Sequence, residues 1–124
     1  AIGPYQDNAA VVLRAWAQAN ADTLVRYIQA FVMGLRWAMN PANKAETVRL
    51  FVERFKLTPD VAMRCLELEA DPVGGFAKDA RLDLEGFKNV LKLRADLEGQ
   101  WGGTPPPTER YYDLSYYQRA LGGL

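Results

Sequence analysis

Apolar residues in this chain recur at intervals of three and four, run after run, and nowhere alternate with polar ones over a useful length. That spacing is the signature of helices with one buried face. It predicts an all-α chain of five or six helices. The longest run is capped by Asn20 and extends to Met39, about nineteen residues or roughly 28 Å of helix. Leu24, Tyr27, Ile28, Phe31, Leu35 and Ala38 form its periodic face, and Val25, Val32 and Met33 widen it. A helix apolar over so much of its circumference calls for neighbours on several sides. Arg26, Gln29 and Arg36 interrupt it, which argues against a membrane span.

The other runs are ordered around this one. A first helix is expected over Ala9–Ala19, capped by Asp7 or Asn8, with Val11, Val12, Ala15, Trp16 and Ala19 inward. The central helix stops before Pro41, because the residue preceding proline disfavours helical geometry. A third helix follows to Phe55, with Ala45, Val48, Phe51, Val52 and Phe55 on one face and an Arg49–Glu53 pair on the other. Thr58 and Pro59 open a fourth, to about Ala70, with Val61, Cys65, Leu66 and Leu68 as its apolar positions. Asp71–Gly75 is a loop by composition, and Phe76 is the residue expected to anchor it to the core. Asp83 caps a fifth helix to Leu97, with Phe87, Val90, Leu91, Arg94 and Leu97 spaced helically. The Gly- and Pro-rich stretch 99–110 is a linker, its three prolines favouring an extended form. Asp113 caps a terminal helix that Gly122 and Gly123 stop.

Composition removes several kinds of chemistry. The sequence has no histidine, which takes away the commonest general base and metal ligand. Its single cysteine, Cys65, can form neither an internal disulfide nor a zinc site of the usual kind, and its apolar setting suggests a buried thiol. Ser115 is the only serine and has no evident base. The run Asp79-x-Arg81-x-Asp83 fails as a calcium loop, because Arg81 is cationic and the turn glycine is missing. Gly74-Gly75 lacks the Lys and Ser/Thr of a phosphate loop. Lysines and arginines balance the acids at fifteen each, so there is no global field to draw nucleic acid. The hairpin through Thr58-Pro59 has the outline of a helix-turn-helix, but Asp60, Glu67 and Glu69 would be repelled by phosphates. Tyr111, Tyr112, Tyr116 and Tyr117 suit a helix that docks with rings inside and hydroxyls at the rim better than a stacking platform. The expected picture is non-enzymatic, with no catalytic residue, no metal, no cofactor and no nucleic-acid partner.

In sequence order, Gly3-Pro4-Tyr5-Gln6, A-W-A-Q-A-N at Ala15–Asn20, L-V-R-Y-I-Q-A at Leu24–Ala30, N-P-A-N-K-A-E at Asn40–Glu46, Gly75-Phe76 with A-R-L-D at Ala80–Asp83, and Y-Y-D-L-S-Y-Y at Tyr111–Tyr117 resemble the C-terminal part of an ABC importer's substrate-binding protein. The similar branch includes binders of nitrate, sulfonates, taurine and thiamine precursors. The resemblance implies a periplasmic or otherwise extracytoplasmic bilobed α/β protein that captures a small organic or anionic ligand for permease subunits. In it, residues 2–6 would end a hinge strand, 8–98 would form a helical body, and 111–124 a docking helix. Tyr5 and Gln6 are the ligand-binding candidates the resemblance offers. The chain would then be a fragment, and the bare face of its central helix would form a homodimer through Tyr27 and Phe31. The competing reading is a free-standing helical module for protein interaction or regulation.

Overall fold

A computed structural model describes residues 3–124. All regular structure among them is helical: α1 (Arg14–Ala19), α2 (Ala21–Ala38), α3 (Lys44–Phe55), α4 (Pro59–Glu69), α5 (Leu84–Glu98) and α6 (Ser115–Gly122), with short 3-10 turns at Pro41–Asn43, Lys78–Ala80, Gln100–Gly103 and Thr108–Arg110. The expected all-α character is therefore observed. Of the segment 2–6, Ile2 lies outside the described residues, and Gly3–Gln6 join no ladder. The stretch 99–110 holds two of the 3-10 turns on either side of its prolines. The chain divides into two compact units, Ala30–Arg81 and the remainder. Helix α2 contributes Ala21–Gln29 to one and Ala30–Ala38 to the other.

The unit Ala30–Arg81 is a helical hairpin. Asn40 is extended (φ −72°, ψ 123°), as a residue before proline should be, and its Oδ1 accepts the Ala42 N–H at 3.0 Å. The turn thus carries a cap at Asn40 in addition to the expected stop. Val48 of α3 packs on Ala62 and Leu66 of α4, with Met39, Phe51, Val52, Leu57 and Met63 around them. Thr47 is 2% exposed; its hydroxyl faces the carbonyls of Asn43 at 3.1 Å and Ala38 at 3.2 Å. A buried hydroxyl is tolerated because it has these partners. Thr58 stands at the cap position of α4 with Pro59 behind it, but its side chain makes no capping bond. Asp71 closes the next loop, its Oδ1 accepting from Gly74 N at 2.7 Å and Val73 N at 2.9 Å. Those N–H bonds hold its carboxyl below the usual range.

In the other unit, α5 is the organising element. Asp83 caps it as expected, Oδ1 accepting from Gly86 N at 3.0 Å. Gln6 Oε1 accepts the Asp83 N–H at 2.8 Å, and Asn89 Nδ2 donates to the Pro4 carbonyl at 2.9 Å. The N-terminal segment is therefore laid along the first turns of α5. Gly86 permits it: a Cβ there would stand 2.7 Å from Gln6 N and 2.8 Å from the Tyr5 carbonyl carbon. Helix α6 docks on the first half of α2, with Ala120 fully buried, Gln29 Nε2 donating to the Ala120 carbonyl at 3.2 Å, and Arg119 paired with Asp22.

Several expected faces are rotated or bare. The first helix begins at Arg14, not Ala9, so neither Asp7 nor Asn8 caps it, and only Ala17 of it is buried. Asn20 turns its amide back to the Trp16 carbonyl at 3.0 Å and closes α1 instead of using its oxygen to open α2. In α2 the buried line runs through Val25 and Val32, while Tyr27, Phe31 and Met33 are half or more exposed. In α4 the inward residues are Ala62 and Leu66, and Val61 and Leu68 face out. Cys65 is half-buried. Phe76 is 53% exposed and does not anchor its loop; the loop is held by the Asp71 side chain and by Phe76 N–H to Glu69 carbonyl at 2.9 Å. In α2 the small Val25 and Val32 take the close approach and the rings of Tyr27 and Phe31 are left outside.

Candidate functional site

Two features are candidates for function, and both are apolar. The first is a groove on α5. Val90, Leu93 and Leu97 form its floor, Tyr5 one edge, and Arg94 and Glu98 the other, paired at 3.2 Å. Its volume is about 500 Å³ and it is open to solvent. Leu97 is 80% and Tyr5 54% exposed. The sequence-based candidates part company here. Tyr5 lines the groove. Gln6 uses its oxygen on Asp83 N and its nitrogen on the Asn8 carbonyl at 2.6 Å, so its amide positions the chain beneath Tyr5. Asn89 and Gly86, which the sequence reading passed over, hold that segment in place. The pairing of a segment near one end with a helix far along the chain leaves no local signal.

The second is the outer face of α2. Tyr27, Phe31, Met33 and Trp37 project there, and Gly34 between them has open space where a Cβ would be. The tyrosines near the C-terminal end behave differently. Phe87 meets Tyr111 and Tyr112 edge-on, at centroid separations of 6.1 and 6.4 Å, and Trp101 lies 6.4 Å from Tyr111. Tyr111 and Tyr112 thus pack by ring edges as expected, but ahead of α6, and Tyr111 stays 45% exposed. Trp101 itself has φ 53°, a left-handed conformation costly for a bulky side chain.

Several charged groups form local pairs. Arg49 bridges Glu46 and Glu53, and Arg36 Nε meets Asp79 at 2.7 Å. Hydrogen bonds from these arginines hold Glu46 and Asp79 below the usual carboxylate range, and the two glutamates raise Arg49. Ser115, through its hydroxyl and its N–H, lowers Asp113. Each shift moves a group further into its already charged form, the opposite of what general acid–base work at neutral pH asks for. Among the described residues no three His, Cys, Asp or Glu side chains come together as a metal set. No helix of the described residues is long and apolar enough to cross a membrane.

Many large apolar side chains are left exposed, among them Val11, Leu13, Tyr27, Phe31, Val73 and Leu97. The largest fully buried side chains are only Val32 and Thr47. The chain matches no family model, and no curated protein or solved structure is similar to it.

Proposed function

We propose that this chain is the C-terminal helical part of a solute-binding component of an ABC-type importer, acting by capture of a small organic or anionic solute rather than by catalysis. The observation that carries the reading is the uncovered groove between Tyr5 and α5, a wall apolar at its floor and charged at its rim. A wall of this kind completes a ligand site only when a second body closes over it, which is how a bilobed binder works. The ordered motifs from Gly3-Pro4-Tyr5-Gln6 to Tyr111–Tyr117 support the same reading. In this reading Tyr5 faces the solute, Gln6 fixes the height of Tyr5, and the site of action is periplasmic or otherwise extracytoplasmic, next to permease subunits.

The deciding experiment is calorimetry on the native polypeptide that carries residues 1–124, titrated with taurine, nitrate and a pyrimidine precursor. Saturable binding of one of them is expected, weakened by Tyr5→Ala, with none to residues 1–124 alone. A native polypeptide without strand-rich α/β sequence beside this helical part would overturn the reading. It would favour instead a free-standing helical interaction module, for which the bare face of α2 is the supporting observation.

A further inference from the structure

We propose that residues 9–13 are a β-strand of the native polypeptide, inserted into a sheet that lies outside residues 1–124, a placement that rests on the transport reading because that reading expects strand-rich α/β sequence beside this helical part.

The run is A-A-V-V-L. The helix expected from Ala9 onward is absent here. The run passes without turn or bend, and Leu13 at its end is extended (φ −66°, ψ 137°). Asn8 Nδ2 donates to Asp7 Oδ2 at 3.0 Å, so the two expected capping side chains are engaged with each other. All five residues of the run are exposed, Val11 at 87% and Leu13 at 79%. Among the described residues, no hydrogen bond reaches the backbone N–H or carbonyl of residues 9–12. Leu13 engages only its carbonyl, which accepts the Ala17 N–H at 2.9 Å. Both ends are nevertheless fixed. Gln6 is held at Asp83 N upstream, and α1 begins at Arg14 downstream.

These features select the occupant. Apolar side chains alone accept any apolar surface, but a row of free backbone donors and acceptors calls for another extended chain. Along a strand, successive residues turn their N–H and C=O groups to opposite edges, so both edges of this run are open to a neighbour. Side chains alternate between faces in the same way, Val11 and Leu13 on one and Ala10 and Val12 on the other. Both faces are therefore apolar. A strand with one wet face alternates apolar with polar, whereas a strand covered by helices on both faces reads as a continuous apolar run. Two adjacent β-branched residues, Val11 and Val12, suit such a strand. A second copy of the run would fill one edge only and leave both faces wet. The described residues contain no strand of their own, so the sheet comes from elsewhere in the polypeptide.

Val12→Asp is the decisive variant. In residues 1–124 this side chain is exposed, and the helical circular dichroism and the urea midpoint are expected to stay unchanged. In the native polypeptide the charge falls inside a sheet, and the folding equilibrium constant is expected to drop by about 100-fold. Conformation is read separately, by amide exchange and by the 13C shifts of Val11 and Val12. Exchange over residues 10–13 is expected to be at least about 100-fold slower in the native polypeptide than in residues 1–124, with valine shifts of strand type. Helix-type shifts overturn the proposal, and so do equal exchange rates in the two chains or a Val12→Asp change that is silent in both. Protection that grows with protein concentration assigns the run to a second copy and overturns it as well. Solute calorimetry on the same native polypeptide keeps the two readings apart. Binding with residues 9–13 unprotected removes the strand and leaves transport standing, whereas a protected strand without binding supports the strand and removes transport.

Discussion

The hairpin of α3 and α4 and the assembly around α5 differ in how far along the chain their contacts reach. In the hairpin, elements adjacent in sequence press apolar side chains together: Val48 on Ala62 and Leu66, with Phe51, Val52 and Leu57 at the margin. Around α5, Leu91 and Ala95 are buried and Phe87 meets Tyr111 and Tyr112, but segments far apart in sequence are also tied by single polar bonds: Gln6 to Asp83, Asn89 to Pro4, and Arg14 Nη2 to the Arg110 carbonyl at 3.3 Å. Apolar packing is non-directional and tolerates small shifts, whereas a hydrogen bond is lost once its geometry is lost. The hairpin therefore rests on apolar packing between neighbours in sequence, while the placement of the N-terminal segment on α5 rests on a few exact polar bonds. The candidate groove belongs to the second kind, so its shape is the more easily altered.

The largest expected effect tests the hairpin. Leu66→Ala removes a 5% exposed side chain from the centre of the cluster, and a loss of about 2–4 kcal/mol is expected by urea denaturation. A loss below about 1 kcal/mol would mean that the hairpin owes little to this cluster.

Next comes Gly86→Ala. Its Cβ would press on Gln6 N and the Tyr5 carbonyl carbon, and strain of about 1–3 kcal/mol is expected. Amide exchange should rise at Asp83, whose N–H loses Gln6, and change little over α3 and α4. Equal loosening of the hairpin would erase the contrast between the two regions.

Gln6→Ala should cost about 1–2 kcal/mol, because the part-buried Asp83 N–H is left without its acceptor. Gln6→Glu, which keeps an acceptor oxygen at the same reach, should restore the Asp83 amide's protection from exchange. Failure of that rescue would show that the amide is held by something other than Gln6.

The smallest effect is acid sensitivity. Asp71, Asp79 and Asp113 have folded values below the ordinary 3.8, so each stabilises the fold above that pH and loses its contribution as pH falls through its own lower value. A modest drop in the urea midpoint between pH 5 and about pH 2 is expected, with Asp71→Asn flattening part of it. A midpoint that rises on acidification would contradict these assignments.

Much of the secondary structure was legible along the chain. Asp83 as a cap, the stop at Pro41, the opening of α4 at Pro59 and the ending of α6 at its glycines all depend on neighbours within a turn. The Arg49–Glu53 pair was legible for the same reason. The site was less so. Tyr5 was named from resemblance alone, and the residues that hold it in place, Gly86 and Asn89, look like ordinary helix positions until the N-terminal segment lies on them.

The sequence by itself determined that the chain is helical, where its helices after α1 change, and that histidine chemistry is absent. These are properties of local backbone preference, short-range periodicity and composition. Only the tertiary structure decided which side of each helix is inside. The period of 3.6 marks an apolar face without saying which of its residues will find a neighbour. In α2 that face was wide enough to be buried along more than one line. Val25 and Val32 took the close contact, and Tyr27, Phe31 and Trp37 were left facing out. That choice rests on the shapes of the surfaces brought together, which no local stretch of sequence contains.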